Sequence, residues 1–316
     1  MADKIGRRTF FKKSAHVGIS AAVGGSFLSP LMGRLRQVTG KDIPDVAVVH
    51  GEDAFKNTMR AVEMTGGIEK FVPKDSKVAL LPNTQSAHPG TFTKPEILRG
   101  VIHLCQKAGA AEVNILSLLS EKNWEDSGLL PVIREEGAQL KLVDNKDESL
   151  FKAIPVPQGK ALKEAMVMKE FYNNDVFITM PITKDHAGNK FTGTLKNMMG
   201  LNFRSSNRTF HQSGWQSDPD AIEHLDQCIA DLNTVLKPHL CIVDAMEIIT
   251  TKGPFGPGNL IKPQKIVAGM DRLAVDAYCA SIWGLKAEDI IMINKGREHG
   301  LGCMDLNRLN IQEVDL

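Results

Sequence analysis

Short aliphatic runs without internal charge alternate with amphipathic stretches along most of this chain, and the alternation predicts its architecture. Val46–Val49, Lys77–Leu81, Glu112–Leu116, Gln139–Val143, Asp175–Met180, Leu240–Val243 and Lys265–Gly269 read as strands. Between them, Ala54–Met64, Lys94–Lys107, Gly128–Glu136, Ala221–Val235 and Arg272–Trp283 space their apolar residues as helices do, and Gly193–Met199 starts another. Several helices stop at glycine: Gly66-Gly67, Gly109 and Gly137. Strands with no polar face need cover on both sides. The expected fold is therefore α/β, a largely parallel sheet covered by helices on both faces and built by right-handed crossovers. Residues 151–168 interrupt the pattern, with Phe151–Pro157 and Ala161–Met168 forming a hairpin around Gln158-Gly159.

Two loops echo each other. Pro82-Asn83-Thr84 precedes His88, Gly90, Phe92 and Thr93; Pro181-Ile182-Thr183 precedes His186, Gly188, Phe191 and Thr192. Both follow a strand and lead into a helix. The echo is either a coincidence of common loop residues or the trace of two related half-domains, 45–150 and 151–316, within one domain spanning 45–316. Ligands of open α/β sheets sit outside the carboxyl ends of the strands, where both loops fall.

Composition changes the picture most at the start of the chain. Hydrophobic residues make up 42 %, charged residues 24 % and aromatic residues 6 %, so aliphatic packing dominates an ordinary globular core. The net charge of +1 conceals an asymmetry: residues 1–36 carry a net +6, which leaves the body at −5. An acidic body argues against a nucleic-acid partner, which needs a basic face. The basic segment holds Gly6-Arg7-Arg8-Thr9-Phe10-Phe11-Lys12, followed by a Gly/Ala/Ser-rich apolar stretch from Ala15 to Met32. Residues 1–44 thus read as a twin-arginine signal and linker. The expectation is a periplasmic or cell-envelope protein that meets the twin-arginine translocase during export. The apolar stretch is either cleaved or retained as a membrane anchor. The five cysteines include no Cys-x-x-Cys pair, so no iron–sulfur or zinc-ribbon motif is present, and Cys105, Cys241 and Cys279 sit in apolar runs as buried thiols.

The densest chemistry lies in 181–200. Lys184, Asp185, His186, Lys190, Thr192, Thr194, Lys196 and Asn197 follow a strand and enter a helix. Lysines beside a helix start suit an anion, and an imidazole suits metal ligation or proton transfer. Asp244 ends a strand; it either caps a loop or helix or shares a divalent metal with His186 and His88. Asp271 reads as the cap of the helix from Arg272. His211, His224 and His239 fall on polar or loop segments and read as surface residues. No Gly-x-Ser-x-Gly, His-Glu-x-x-His or Gly-x-Gly-x-x-Gly signature occurs where hydrolase, zinc-protease or dinucleotide chemistry would need it.

Over residues 46–302 the chain resembles the bacterial and archaeal family known as domain of unknown function 362. The resemblance rests on Val46-Ala-Val-Val-His-Gly-Glu-Asp, Gly66-Gly-Ile-Glu-Lys-Phe-Val, Pro82-Asn83, Thr194-Leu-Lys-Asn-Met-Met-Gly200, Ile242-Val-Asp-Ala245, Gly253-Pro-Phe-Gly-Pro-Gly258 and Asp271-Arg-Leu-Ala-Val-Asp276, in order. The family loop Pro-Lys-x-Lys-Thr-His is here Pro181-Ile-Thr-Lys184-Asp185-His186: the second lysine and the histidine match, the first lysine and the threonine do not. Many relatives carry a ferredoxin-like cysteine cluster; this chain has none and does not inherit electron transfer from them.

Two functional classes follow. In one, Lys184 and His186 are catalytic and Asn83, Lys196, Asn197 and Asp244 bind a metal or a small anionic ligand. In the other, the chain is a non-catalytic accessory or scaffold subunit of an exported redox complex, with an envelope partner. Replacing Arg7 and Arg8 together by lysine is expected to leave the protein in the cytoplasmic fraction on immunoblotting. Undiminished export of that variant refutes the twin-arginine reading.

Overall fold

The computed structural model describes residues 43–316, so the expected twin-arginine segment, and with it the choice between cleavage and anchoring, lies outside the described residues. Among those residues no helix is long and apolar enough to cross a membrane. An eight-stranded sheet organises them: β1 (Val46–His50), β2 (Lys77–Pro82), β3 (Glu112–Ser117), β4 (Gln139–Leu142), β5 (Val176–Met180), β6 (Leu240–Ala245), β7 (Lys265–Gly269) and β8 (Ile311–Asp315). Their spatial order is β8-β1-β7-β6-β5-β2-β3-β4. Only β7 runs antiparallel to its neighbours. It follows β6 without an intervening helix, and a connection that does not cross the sheet returns the chain in the opposite direction.

Alternate residues of each strand feed two separate cores. Leu81, Phe177 and Val243 point into one layer, beneath α7 (Pro219–Val235) and α8 (Arg272–Ser281). Val78, Leu80, Ile178 and Ile242 point into the other, beneath α1 (Ala54–Met64) and α2 (Pro95–Lys107). That double burial is why the strands read as uninterrupted apolar runs. α3 (Glu121–Asp126) and α4 (Leu129–Glu135) follow β3, and the expected hairpin pairs Phe151–Pro155 with Glu164–Met168.

The described residues form one compact unit with no division at residue 150. β1, from the first half of the sequence, lies between β8 and β7 from the second. The two echoing loops do not face each other across a boundary. They leave β2 and β5, which pair directly with Pro82 opposite Met180, so the loops lie side by side.

Three elements had no strong pattern in the sequence: α6 (Arg204–Phe210), α9 (Ile291–Glu298) and β8. α6 and β8 have short, mostly exposed sequences that lack a clear apolar period.

The helix expected at 193–199 is a single turn, α5 (Thr194–Asn197), which tightens into a 3₁₀ turn over Met198–Leu201. It is held from below. The buried Asp276 carboxylate on α8 accepts the backbone N–H of Thr194 at 2.6 Å and of Leu195 at 3.0 Å. Asn233 of α7 donates to the Leu195 carbonyl at 2.8 Å, and Arg272 donates to the Asn233 carbonyl at 2.8 Å. Gly193 is required here because a Cβ on it would lie 2.4 Å from the Asp276 carboxylate oxygen. Gly193→Ala is expected to destabilise the fold by about 1–3 kcal/mol in urea unfolding, the usual cost of overpacking a tight contact. An unchanged unfolding midpoint means that the carboxylate does not sit against residue 193.

Candidate functional site

The site is assembled at the carboxyl ends of β2, β3 and β5. Thr93 ties the first loop down: its hydroxyl accepts the Asn83 N–H at 3.0 Å and donates to the Met180 carbonyl at the end of β5 at 2.7 Å. The second loop closes on itself where Lys184 and Thr192 pair through their backbones. Lys184 then crosses from the second loop to the first. Its ammonium donates to Asn83 Oδ1 at 3.2 Å and to the Thr91 carbonyl at 2.5 Å. With Oδ1 occupied, the Asn83 amide keeps its Nδ2 donor unpaired.

Lys184 is fully buried and does not line the cavity beside it. Expected to be catalytic, it bridges the two loops from behind the cavity walls. Burial, with the charge of Lys196 second, lowers its pKa to about 7.

The cavity has a volume of about 580 Å³ and takes its walls from Asn83, His186, Thr192, Lys196 and Asn197. Asn197 donates to the Leu81 carbonyl at 2.8 Å and to the Thr179 hydroxyl at 3.0 Å, which leaves its Oδ1 as an acceptor. Lys196 donates to Asn189 Oδ1 at 3.2 Å, and the Asn189 amide donates to Asp226. Burial lowers the Lys196 pKa to about 8 against the opposing pull of Asp226. The Asp226 carboxyl is itself raised, chiefly by burial. Thr192 is buried, lines the cavity, and has an Oγ1 without a hydrogen-bond partner. An orphaned buried hydroxyl costs free energy unless something else pairs with it.

His186 presents one nitrogen to the protein. Its Nδ1 lies 2.7 Å from the Ala187 carbonyl. A carbonyl only accepts, so Nδ1 carries the proton and Nε2 keeps a lone pair. Burial first, and the Lys196 charge second, hold the imidazole well below its usual pKa and therefore neutral. His211 repeats the arrangement, with Nδ1 2.8 Å from the Asn207 carbonyl and its pKa lowered mainly by burial. Both rings contact Trp215, at centroid distances of 5.4 Å and 4.9 Å. Trp215 reaches this place because Gly188 lets the backbones meet: a Cβ there would lie 2.2 Å from the Trp215 carbonyl oxygen.

Three residues that line the cavity were missed in the sequence. His211 was expected at the surface. Arg204 and Arg208 stand one turn apart on α6, line the cavity, and have no ion pair or side-chain hydrogen bond among the described residues. Their i, i+4 spacing was visible in the sequence, but nothing marked 204–210 as a helix.

The metal set expected from His186, Asp244 and His88 does not assemble. Among the described residues no group of three His, Cys, Asp or Glu side chains could hold a metal. Asp244 is fully buried, and its two carboxylate oxygens accept the backbone N–H of Lys94 and of Met246, each at 2.8 Å. It pins the start of α2 to the end of β6 rather than flooring the cavity, and burial raises its pKa to about 6. His88 is exposed and lies outside the cavity walls. Asp271 caps α8 as expected, accepting from Leu273 and Ala274. Cys105, Cys241 and Cys279 are buried free thiols, also as expected.

Among the described residues no Asp or Glu lines this cavity. A second groove, at the opposite end of β2–β4, differs in kind. Its charges are already paired, Lys77 with Glu112 at 2.7 Å and Lys141 with Glu170 at 3.9 Å.

The fold and site define an α/β protein with a cleft at the carboxyl ends of its parallel strands, lined by Lys196, Arg204 and Arg208 and, among the described residues, by no acidic side chain. The chain belongs to the family described as Domain of unknown function (DUF362), whose model matches residues 78–281. No curated protein matches the sequence. Among solved structures, it is similar to the lactate racemase apoprotein from Thermoanaerobacterium thermosaccharolyticum, with 13 % identity and a TM-score of 0.47. The likeness covers 77 % of this chain and 58 % of that one, so this chain spans well under two thirds of its length.

The buried Lys184 supplies a pH test. Its folded pKa lies below its unfolded value, so the unfolded chain holds more protons between about pH 7 and 10.5. The penalty of burying the ammonium is complete below pH 7 and is relieved as pH rises. Between pH 7 and 9, urea unfolding should therefore show the wild type gaining stability relative to Lys184→Met. Parallel pH profiles would mean that Lys184 is not desolvated.

Proposed function

We propose that this protein binds a small anionic ligand, a carboxylate or a phosphate, in the cleft, and that His186 exchanges a proton with it. The observation that supports this reading is the charge of the walls. Lys196, Arg204 and Arg208 line one cavity with no acidic side chain among its walls. The counter-charge of Lys196, Asp226, stands behind Asn189, and the Thr192 hydroxyl has no partner. Such a site attracts anions and repels divalent cations, so the metal alternative loses its support.

In this reading the Lys196 ammonium and the Thr192 hydroxyl hold the anionic head, and the Asn83 amide adds a donor. Nε2 of His186 is unprotonated and unpartnered, as a general base must be before substrate arrives. Lys184 acts indirectly by fixing which way the Asn83 amide faces. The ligand would be met outside the cytoplasm, as the export signal leads one to expect. No feature of the described surface specifically favours the accessory-subunit reading.

Calorimetric titration with acetate and with inorganic phosphate tests this. At least one is expected to bind at pH 7, and affinity should fall as pH rises through about 8, where Lys196 loses its proton. Arg204→Gln with Arg208→Gln alters only exposed positions and should weaken binding by about tenfold or more, the loss of charge-assisted contacts. Binding that ignores both pH and the double substitution would place the anion elsewhere.

A further inference from the structure

The cavity is larger than an inorganic oxyanion needs, and its remaining walls are of another character. A pocket of several hundred Å³ encloses an organic molecule of moderate size. Its walls also include the apolar side chains of Leu118, Leu119, Met199, Trp215 and Phe255. Among these, two features stand out.

The first is Phe255. Its backbone is pinned from both sides. The Phe255 carbonyl accepts from Ser86 at 2.8 Å, and the neighbouring Gly253 N–H donates to Asp185 at 2.7 Å. Its side chain is nevertheless 57 % exposed and contacts no other ring. A large apolar ring left more than half exposed at a cavity wall offers apolar area to a ligand bound there. The second is Trp215, whose neighbours on the cavity wall are the two neutral imidazoles of His186 and His211. Neutral rings compete less for a π-face than imidazolium ions would, and both are held neutral by burial and by Lys196.

Resting on the anion-binding reading above, we infer that the ligand is an organic anion with a planar, unsaturated body. Its anionic group lies toward Lys196 and Thr192, and its planar body lies against Trp215 and Phe255. Aromatic walls favour planar π-systems over saturated groups of equal area because ring–ring geometry adds to simple burial. The arginines on α6 stand at the same cavity and suit a second anionic substituent or the edge of the planar body.

The test compares three probes on the full-length protein by calorimetry: acetate, cyclohexanecarboxylate and 2-naphthoate. The naphthoate is expected to bind about tenfold or more tighter than the cyclohexane acid and to quench tryptophan fluorescence. Phe255→Ala changes an exposed side chain and should remove most of that preference while leaving acetate binding unchanged. Trp215→Leu should abolish the quenching. Equal affinity for the two ring acids, or a preference that survives both substitutions, overturns the planar-ligand inference and leaves the anion site standing. Failure of all three acids, with inorganic phosphate also unbound, overturns both.

Discussion

The cleft depends on one buried carboxylate. Asp276, on a helix of the opposite layer from α1 and α2, accepts two backbone N–H groups from the single turn that carries Lys196 and Asn197. A one-turn helix has almost no stability of its own, since nucleation is unfavourable and few internal hydrogen bonds form. Asp276 therefore substitutes tertiary anchoring for helix length. The Leu195 carbonyl is held in turn by Asn233, and Asn233 by Arg272, so two helices, α7 and α8, fix one turn. Burial raises the Asp276 carboxyl to about 6, while its two backbone donors oppose that shift.

A second constraint works across the strand ends. Because β2 and β5 are neighbours in register, their following loops are close enough for Lys184 to span. Burying an ammonium is costly, and here two neutral acceptors rather than a carboxylate receive it. The result is a buried ammonium that, among the described residues, no carboxylate pairs with. Burial first, and the charge of Lys196 second, lower the pKa of His186 and keep its ring unprotonated. Buried groups with shifted pKa values of this kind cluster where ligands bind.

Asp244 and His211 show how sequence and structure part company. Both ends of strands and polar loops offer carboxylates and imidazoles; which of them face a cavity depends on who else needs them. Asp244 is consumed by two backbone N–H groups left unpaired at the ends of α2 and β6. His211 instead is carried into the cavity by α6 and by the contact of Trp215 with the 186–190 loop. The capping role of Asp244 was one of the two alternatives its place at a strand end offered, whereas the place of His211 followed neither from residue type nor from spacing to the next motif.

The sequence by itself determined the layers. Apolar runs without charge can only be strands buried on both faces, and the parallel sheet, the hairpin at 151–168 and the strand-end position of Asn83, Lys184 and His186 all follow from local periodicity and turn residues. The order of the strands, the antiparallel β7, the placement of β1 among later strands, and the union of Lys196 with Arg204, Arg208 and His211 were decided only by the tertiary structure. Those features depend on contacts between segments tens of residues apart. Pattern along a chain reports which face of an element is buried, and carries no record of which element lies on the other side.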